Sequence, residues 1–113
     1  MITIYHNPRC KKSRAGLEYL KSKGVDFEIR EYLKEPLTEE ELEVLLIKLN
    51  KKPADMIRTQ EAVFRQNFKG KEFTDDEWIK IIIENPKLLK RPIVVKDNKA
   101  VWGDPAENIA EFF

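Results

Sequence analysis

The chain has 113 residues, which is room for one domain with one core. Hydrophobic residues make up 42% of it, charged residues make up 36%, and the formal net charge is +1. This balance excludes a disordered chain and argues against a general nucleic-acid binder, which would carry a strong basic excess. The longest apolar runs fall far short of the roughly 20 residues that a membrane span requires. The chain starts with a strand-like segment and not with the pattern of a secretory signal, so we expect a cytoplasmic protein that binds neither membranes nor nucleic acid directly.

The first elements in the chain are a predicted strand and a predicted helix. Residues 2–5 read as a short buried strand, and Pro8 indicates a turn at 6–9 because proline disfavours helix in the residue before it. A helix is predicted over 11–23, with Gly24 as its C-terminal stop. The apolar positions of this helix are Ala15, Leu17, Tyr19 and Leu20.

A second strand follows the helix. Val25, Phe27 and Ile29 alternate with charged residues, a period-two pattern that is typical of a half-buried strand. We expect this strand to end near Tyr32. The chain therefore opens with a strand–helix–strand unit.

The middle of the chain carries helical signals. Thr38 with Glu41 forms a capping-box signature before four leucines at helical spacing, and Thr74 with Glu77 repeats it before a stripe of tryptophan and isoleucine. Two shorter helices are predicted between these, at 53–60 and 61–68.

Two strands close the predicted sheet. Residues 92–95 and 100–102 flank a loop at 96–99 that has the length and chemistry of a hairpin. The order of elements indicates an α/β, thioredoxin-like fold of the glutaredoxin type: a mixed four-stranded sheet with a helical insertion between the second and third strands. We expect a single domain, 1–113, with its core formed by 1–33 and 88–113 and its helical insert by 34–87.

The last predicted element is a helix that runs to the C-terminus. Asp104 followed by Pro105 and Glu107 has the spacing of a helix cap, a proline in the first helical position and a capping-box acid. We therefore predict that Asp104 caps this helix.

Cys10 is the candidate centre of chemistry. A lone cysteine is often a small buried hydrophobe, but Cys10 follows a turn at a predicted helix start, where the backbone dipoles favour a negative charge. No acidic residue occurs between Met1 and Leu17. A reactive thiolate with a depressed pKa is therefore the favoured interpretation. The neighbouring cations in sequence are Arg9, Lys11, Lys12 and Arg14.

The cysteine count limits the redox chemistry. With one cysteine, the chain cannot form an internal disulfide. Any redox cycle at Cys10 must therefore use a thiol from another molecule.

Three segments resemble the ArsC arsenate reductase family, which also includes the Spx regulators. The segment 6–14, HNPRCKKSR, is similar to the active-site segment of that family, and the resemblance extends over the whole chain, with further matches at 56–59 and 91–95. It implies that the cysteine attacks arsenate and that three arginines bind the oxyanion and its thiol adduct. By that resemblance the first two arginines are Arg58 and Arg91.

The position of the third arginine departs from the family pattern. The segment before the last helix reads Trp102-Gly103-Asp104-Pro105, which places an acid where the reductases carry a cation. A carboxylate that faced the site would repel arsenate. The capping signature favours the alternative, in which Asp104 points away from the site.

Several residues are expected to support Cys10: His6, Asn7, Ser13, Arg14 and Pro92. Ser13 stands where dithiol redox proteins carry a second cysteine, and its hydroxyl could donate to the thiolate but could not resolve a disulfide. His6 could donate a hydrogen bond, although a purely structural turn histidine is equally consistent with the sequence. The resemblance implies a cis peptide at Pro92. One cysteine and one histidine provide no metal-ligand set, and we expect no bound cofactor.

The leading hypothesis is a monothiol oxidoreductase of the arsenate reductase family. The Cys10 thiolate would attack an oxyanion such as arsenate, or a mixed disulfide, and the resemblance suggests glutathione with glutaredoxin as the resolving system. One alternative is an Spx-like regulator that binds RNA polymerase, although Ser13 removes the paired-cysteine switch of those regulators. The other is a glutathione-dependent thiol reductase, acting on glutathionylated proteins, without arsenate activity.

Overall fold

The computed structural model describes all residues, Met1–Phe113. The chain forms two compact units, of which the first combines Met1–Glu35 with Arg91–Phe113 and the second is Pro36–Lys90. The first unit contains the sheet and Cys10, and the second is mainly helical. No helix in either unit combines the length and the apolar character needed to cross a membrane.

The first unit is built on a mixed four-stranded sheet. Its strands are β1 (Ile2–Tyr5), β2 (Phe27–Arg30), β3 (Ile93–Lys96) and β4 (Lys99–Trp102). Their order across the sheet is β2-β1-β3-β4. The opening strand–helix–strand segment makes a parallel pair of β1 and β2, while β3 lies antiparallel to both β1 and β4. This arrangement confirms the predicted thioredoxin-like sheet and its strand order along the chain.

Helix α1 (Lys11–Ser22) joins β1 to β2 and contributes to the core of this unit. It ends one residue earlier than predicted, with Lys23 in the cap position, and Gly24 follows as the predicted stop, with a φ of +67°, a left-handed conformation that glycine takes without steric cost. Ala15, predicted on the apolar side, is exposed. The buried cluster of the unit consists of Ile2, Ile4, Leu20, Val94 and Ile109.

Close approach brings α1 against the start of β3. Gly16 is buried in the middle of the helix, and a Cβ atom at this position would lie 2.6 Å from Cγ of Pro92. Real Cβ atoms do not approach that closely, so only glycine fits here without a shift of the neighbouring chain. This contact places the first turns of α1 next to the Arg91–Pro92 segment.

The predicted alternation in β2 is wrong at Ile29. Ile29 is 47% exposed, whereas the alternating pattern predicted that its side chain would be buried. Ile29 is paired in register with Ile4 of the core cluster, but β2 is an edge strand with a neighbouring strand on only one side, which leaves Ile29 at the open edge of the sheet. Phe27, at the start of the same strand, does pack against the core cluster.

The β3–β4 hairpin is tighter than the sequence indicated. Each strand extends one residue into the predicted loop, which leaves a two-residue turn at Asp97 and Asn98. Asp97 has a φ of 55°, a conformation that aspartate tolerates better than most residues.

The second unit contains two well-capped helices. In both, the threonine side chain accepts from the N–H of the third helical residue, and the glutamate at that position accepts from the threonine N–H. These contacts confirm the two capping boxes, Thr38 with Glu41 and Thr74 with Glu77. The helices of this unit are α2 (Glu39–Leu49), α3 (Ala62–Asn67) and α4 (Asp75–Glu84), with 3₁₀ helices at Pro53–Met56 and Pro86–Leu88.

The helix predicted at 53–60 is shorter than expected. It ends after Met56 as a 3₁₀ turn, and Ile57 forms an isolated antiparallel bridge with Leu89. The Arg58 N–H donates to the Leu88 carbonyl at 2.7 Å, and the Lys90 N–H donates to the Met56 carbonyl at 2.9 Å. These bonds to a distant segment take up backbone groups that a longer helix would have used.

The predicted cap at Asp104 is also wrong. The terminal helix is a 3₁₀ helix, Ala106–Phe112, and the residue in the cap position is Pro105, which is extended with φ −64° and ψ 160°. Asp104 therefore lies one residue too early, and no side-chain cap hydrogen bond forms. Its carboxylate pairs instead with Lys12, with Oδ2 3.1 Å from Nζ.

Candidate active site around Cys10

Cys10 occupies the cap position of α1. Its backbone is extended, with φ −96° and ψ 123°, and its carbonyl accepts the first helical hydrogen bond, from the Arg14 N–H at 2.9 Å. The first turn of α1 contains no acidic residue, so nothing in it opposes the partial positive charge of the helix N-terminus. The half-buried thiol therefore lies where a thiolate is favoured.

Charged and polar neighbours lower the pKa of Cys10. Burial acts to raise the pKa of this thiol, but hydrogen bonding and charge from the Arg91 guanidinium, with the main-chain N–H groups of Ser13 and Lys12, outweigh it. Arg91 is buried and precedes a cis peptide bond to Pro92, the isomer that the resemblance implied.

The turn before Cys10 is held by its own hydrogen bonds. The Asn7 side-chain oxygen accepts from the Arg9 N–H at 3.0 Å, and the Asn7 carbonyl accepts from the Cys10 N–H at 3.0 Å. Arg14 donates from its guanidinium to the Pro8 carbonyl at 3.0 Å. Asn7 and Arg14 thus fix the backbone that presents the thiol.

Ser13 acts on the site differently from the expectation. Its hydroxyl is fully buried, lies 2.7 Å from Nδ1 of His6 and accepts from the Asn7 N–H at 2.9 Å. The hydroxyl therefore stabilises the turn, while the main-chain N–H of Ser13 acts on Cys10. The signal for these main-chain donors was present in the sequence, because the early N–H groups of any helix lack intrahelical partners.

His6 is buried, and its environment favours the uncharged ring. Burial, together with the charges of Arg14 and Lys21, lowers the pKa of His6. The Glu31 charge and a main-chain hydrogen bond of Ser13 raise it but do not compensate. Its main-chain N–H also donates to the Arg30 carbonyl at 2.9 Å. These contacts connect the active-site turn to the end of β2.

The segment before the terminal helix also borders the site. The Gly103 N–H donates to the Pro92 carbonyl at 2.8 Å, and the Trp102 indole donates to the Arg91 carbonyl at 3.3 Å. Together with the Asp104–Lys12 ion pair, these bonds bring the segment into the surroundings of Cys10. Sequence reasoning missed Trp102 because no local pattern marks an indole that bonds to a distant carbonyl.

Arg58 lies in the second unit. Its side chain is 16% exposed, and one terminal nitrogen lies 3.2 Å from a carboxylate oxygen of Glu61. The Nε atom is buried without a hydrogen-bond partner. Such a guanidinium keeps unused donor capacity for an anion.

The first unit therefore presents one activated thiol on a thioredoxin-like fold, beside a buried arginine and a helix N-terminus. These features are those of a thiol oxidoreductase. No group of three or more His, Cys, Asp or Glu side chains is arranged to hold a metal ion.

Comparison with known proteins identifies the family. It belongs to the ArsC family, whose model matches residues 5–112. It is 37% identical over 110 residues to the arsenate reductase of Neisseria meningitidis, which covers 96% of this chain and 94% of that protein. The uncharacterized protein YfgD of Escherichia coli is 38% identical over 112 residues, with 97% and 94% coverage. The structure of the arsenate reductase from Vibrio cholerae matches with a TM-score of 0.92 at 34% identity, over 99% of this chain and 97% of that one. The protein is thus an ArsC-type thiol oxidoreductase.

Proposed function

We propose that this protein is a monothiol reductase in which the Cys10 thiolate attacks an oxyanion such as arsenate and external glutathione with glutaredoxin resolves the intermediate. The observation that carries the proposal is the position of the lone cysteine at the N-terminus of α1, beside the buried Arg91, which together favour the thiolate. The reducing cytoplasm would supply the thiols. No second cysteine exists to replace them.

The proposed cycle has three steps. Attack of Cys10 on arsenate forms a sulfur–arsenic bond, and one oxygen leaves as water after protonation. A glutathione thiolate then attacks the Cys10 sulfur, so that a disulfide forms and the sulfur–arsenic bond breaks. Its electron pair remains on arsenic, which is reduced from As(V) to As(III). Glutaredoxin finally attacks the glutathione sulfur of this mixed disulfide and releases the Cys10 thiolate.

Two arginines are proposed to bind the oxyanion. Arg91 is buried beside the thiol, and Arg58 keeps a buried Nε without a hydrogen-bond partner. Guanidinium groups suit this role because their planar donors bind oxyanions in pairs. His6, Asn7, Ser13, Arg14 and Pro92 would position the thiol rather than contact substrate.

The contacts of Asp104 favour a second candidate reaction, the reduction of glutathione mixed disulfides. Asp104 adds a carboxylate next to Lys12, which weakens attraction for a small anion but does not hinder thiol–disulfide exchange. In that reaction, Cys10 would attack a sulfur of the disulfide, and an external thiol would release it.

The test measures turnover of arsenate with glutathione, glutaredoxin and glutathione reductase, followed as NADPH oxidation. A glutathione mixed disulfide replaces arsenate in a parallel assay. We expect activity that Cys10→Ser abolishes. Rates equal to the enzyme-free rate with both substrates would contradict the proposal.

A further inference from the structure

One of the cations next to Cys10 in the sequence, Lys12, is paired with a carboxylate. Lys12 lies in the first turn of α1, two residues after the thiol, and its main-chain N–H lowers the pKa of Cys10. Its ammonium group is bound to Asp104, with Nζ 3.1 Å from Oδ2. The further cations near the thiol are Arg9, Lys11, Arg14 and Arg91.

The carboxylate is held in this place by the main chain around it. The preceding Gly103 N–H is bonded to the Pro92 carbonyl at 2.8 Å. The Asp104 carbonyl accepts from the Asn108 side chain at 3.2 Å, and that amide also donates to the Trp102 carbonyl at 3.0 Å. Because these bonds use backbone groups, a change of the Asp104 side chain leaves them intact.

The ion pair is only partly open to water. The Asp104 side chain is 23% exposed and that of Lys12 is 56% exposed. A carboxylate in this position cancels the field of the ammonium group that it touches, and partial burial reduces the screening of its charge by salt. A substrate that approaches Cys10 therefore meets one fewer effective cation than the sequence of α1 indicates.

We propose that Asp104 is a specificity-determining residue of the Cys10 site, which through its ion pair with Lys12 disfavours substrates in proportion to their negative charge. The favoured substrates then carry one negative charge or none at the reacting end, such as the singly charged form of arsenate or a neutral disulfide. The assignment of substrates rests on the proposed function. The charge discrimination itself does not, because it can be measured on the thiol alone.

The experiment compares alkylation of Cys10 by iodoacetate, an anion, with alkylation by iodoacetamide, its neutral analogue. The ratio of the two rate constants cancels any change in the fraction of thiolate, since the same thiolate reacts with both. We expect Asp104→Asn to raise the ratio of iodoacetate to iodoacetamide rates by about two- to fivefold, the size of an exposed charge interaction. Added salt should reduce this difference.

Three further variants complete the test. Lys12→Met should lower the ratio of iodoacetate to iodoacetamide rates, because it leaves the Asp104 carboxylate without a cation beside it. The double variant, which combines Lys12→Met with Asp104→Asn, should return to the wild-type ratio. Glu111→Gln is the matched control, because Glu111 forms the same kind of ion pair with Lys99. Lys99 begins β4 and lies roughly 10 Å along the strand from Trp102, the residue at its other end. The control should leave the ratio unchanged.

An unchanged ratio in Asp104→Asn, or an equal rise in Glu111→Gln, would overturn the proposal. Absence of arsenate turnover in every variant, together with the expected change in ratio, would instead count against the oxyanion part of the proposed function. The two failures are therefore distinguishable.

Discussion

At the scale of single residues, the reactivity of Cys10 depends on a neighbour that is distant in sequence. Arg91 favours the thiolate by hydrogen bonding and by charge, against the effect of burial, which raises the pKa of Cys10. We expect Arg91→Met to raise this pKa and to slow alkylation by iodoacetamide at neutral pH by about tenfold, because a hydrogen bond to a charged group contributes about 1.5–3 kcal/mol. The measurement is the alkylation rate against pH.

Lys99→Met provides the control for this prediction. It removes a cation from the same unit at the far end of β4, where it pairs with Glu111. Its alkylation profile should match that of the wild type. An Arg91→Met profile with the wild-type midpoint would show that Arg91 does not activate the thiol.

The lowered pKa of His6 predicts how the stability of the fold depends on pH. Burial lowers the pKa of His6 in the folded protein, whereas the unfolded chain titrates near the ordinary value of about 6.5. Between these two values the unfolded state binds more protons than the folded state, so the free energy of unfolding falls as the pH decreases below about 6.5. His6 is the single histidine of the chain.

Urea unfolding at several pH values between 5 and 8 would test this expectation. His6→Asn should remove most of the slope between pH 5 and 6.5, at the expense of some stability at every pH. A variant with the wild-type slope would assign the effect to carboxylates and not to His6.

At the scale of elements, the packing of α1 depends on Gly16. Alanine normally stabilises a helix interior by about 1 kcal/mol relative to glycine. Here the added Cβ would lie 2.6 Å from Pro92, so we expect Gly16→Ala to lower the free energy of unfolding by roughly 1–3 kcal/mol. Denaturant unfolding measures this change.

Ala15→Gly is the reverse change on the exposed side of the same helix. It should cost about 1 kcal/mol through helix propensity alone. A stabilised Gly16→Ala variant would mean that α1 does not approach Pro92 as closely as the structure describes.

The three capping signatures in the sequence should contribute different amounts to the free energy of unfolding. Thr38→Ala and Thr74→Ala each remove a cap hydrogen bond and should cost about 0.5–2 kcal/mol. Asp104→Ala removes only a partly exposed ion pair, so its cost should stay below about 1 kcal/mol. Equal losses of unfolding free energy in all three variants would contradict the corrected role of Asp104.

At the scale of the whole molecule, the features that could be predicted are those encoded locally. The capping boxes, the four-leucine stripe of α2 and Gly24 each involve neighbours within one or two turns, and their predictions were confirmed. The position of Cys10 at the start of α1 is local in the same sense.

The features that could not be predicted depend on contacts between distant segments. Ile57 leaves the helical path because it pairs with Leu89, and Asp104 is drawn to Lys12 at the other end of the chain. The exposure of Ile29 follows from the edge position of β2, which no periodicity reveals. At the site, the interaction of Arg91 with Cys10 was accessible only through resemblance to the ArsC family.

Because the chain has one cysteine, its oxidation by glutathione disulfide can occur at one position only. We expect glutathione disulfide to add one glutathione per chain, at Cys10, without an internal disulfide. Intact-mass measurement should show a single adduct, and Cys10→Ser should show none. Glutaredoxin should reverse the modification. Covalent dimers in place of the adduct would indicate that Cys10 reacts with a second copy of the chain.

The indole of Trp102 gives the protein an intrinsic optical probe. Its hydrogen bond ends on the carbonyl of Arg91, the residue whose guanidinium acts on Cys10, so we expect a change of charge at the sulfur to alter the fluorescence of this indole. The second tryptophan, Trp78, belongs to the other unit and packs among phenylalanine rings, with Phe73 4.8 Å away between ring centroids. Fluorescence from the two indoles therefore arises in different environments, and the Trp102 component can follow the state of the thiol without an added label.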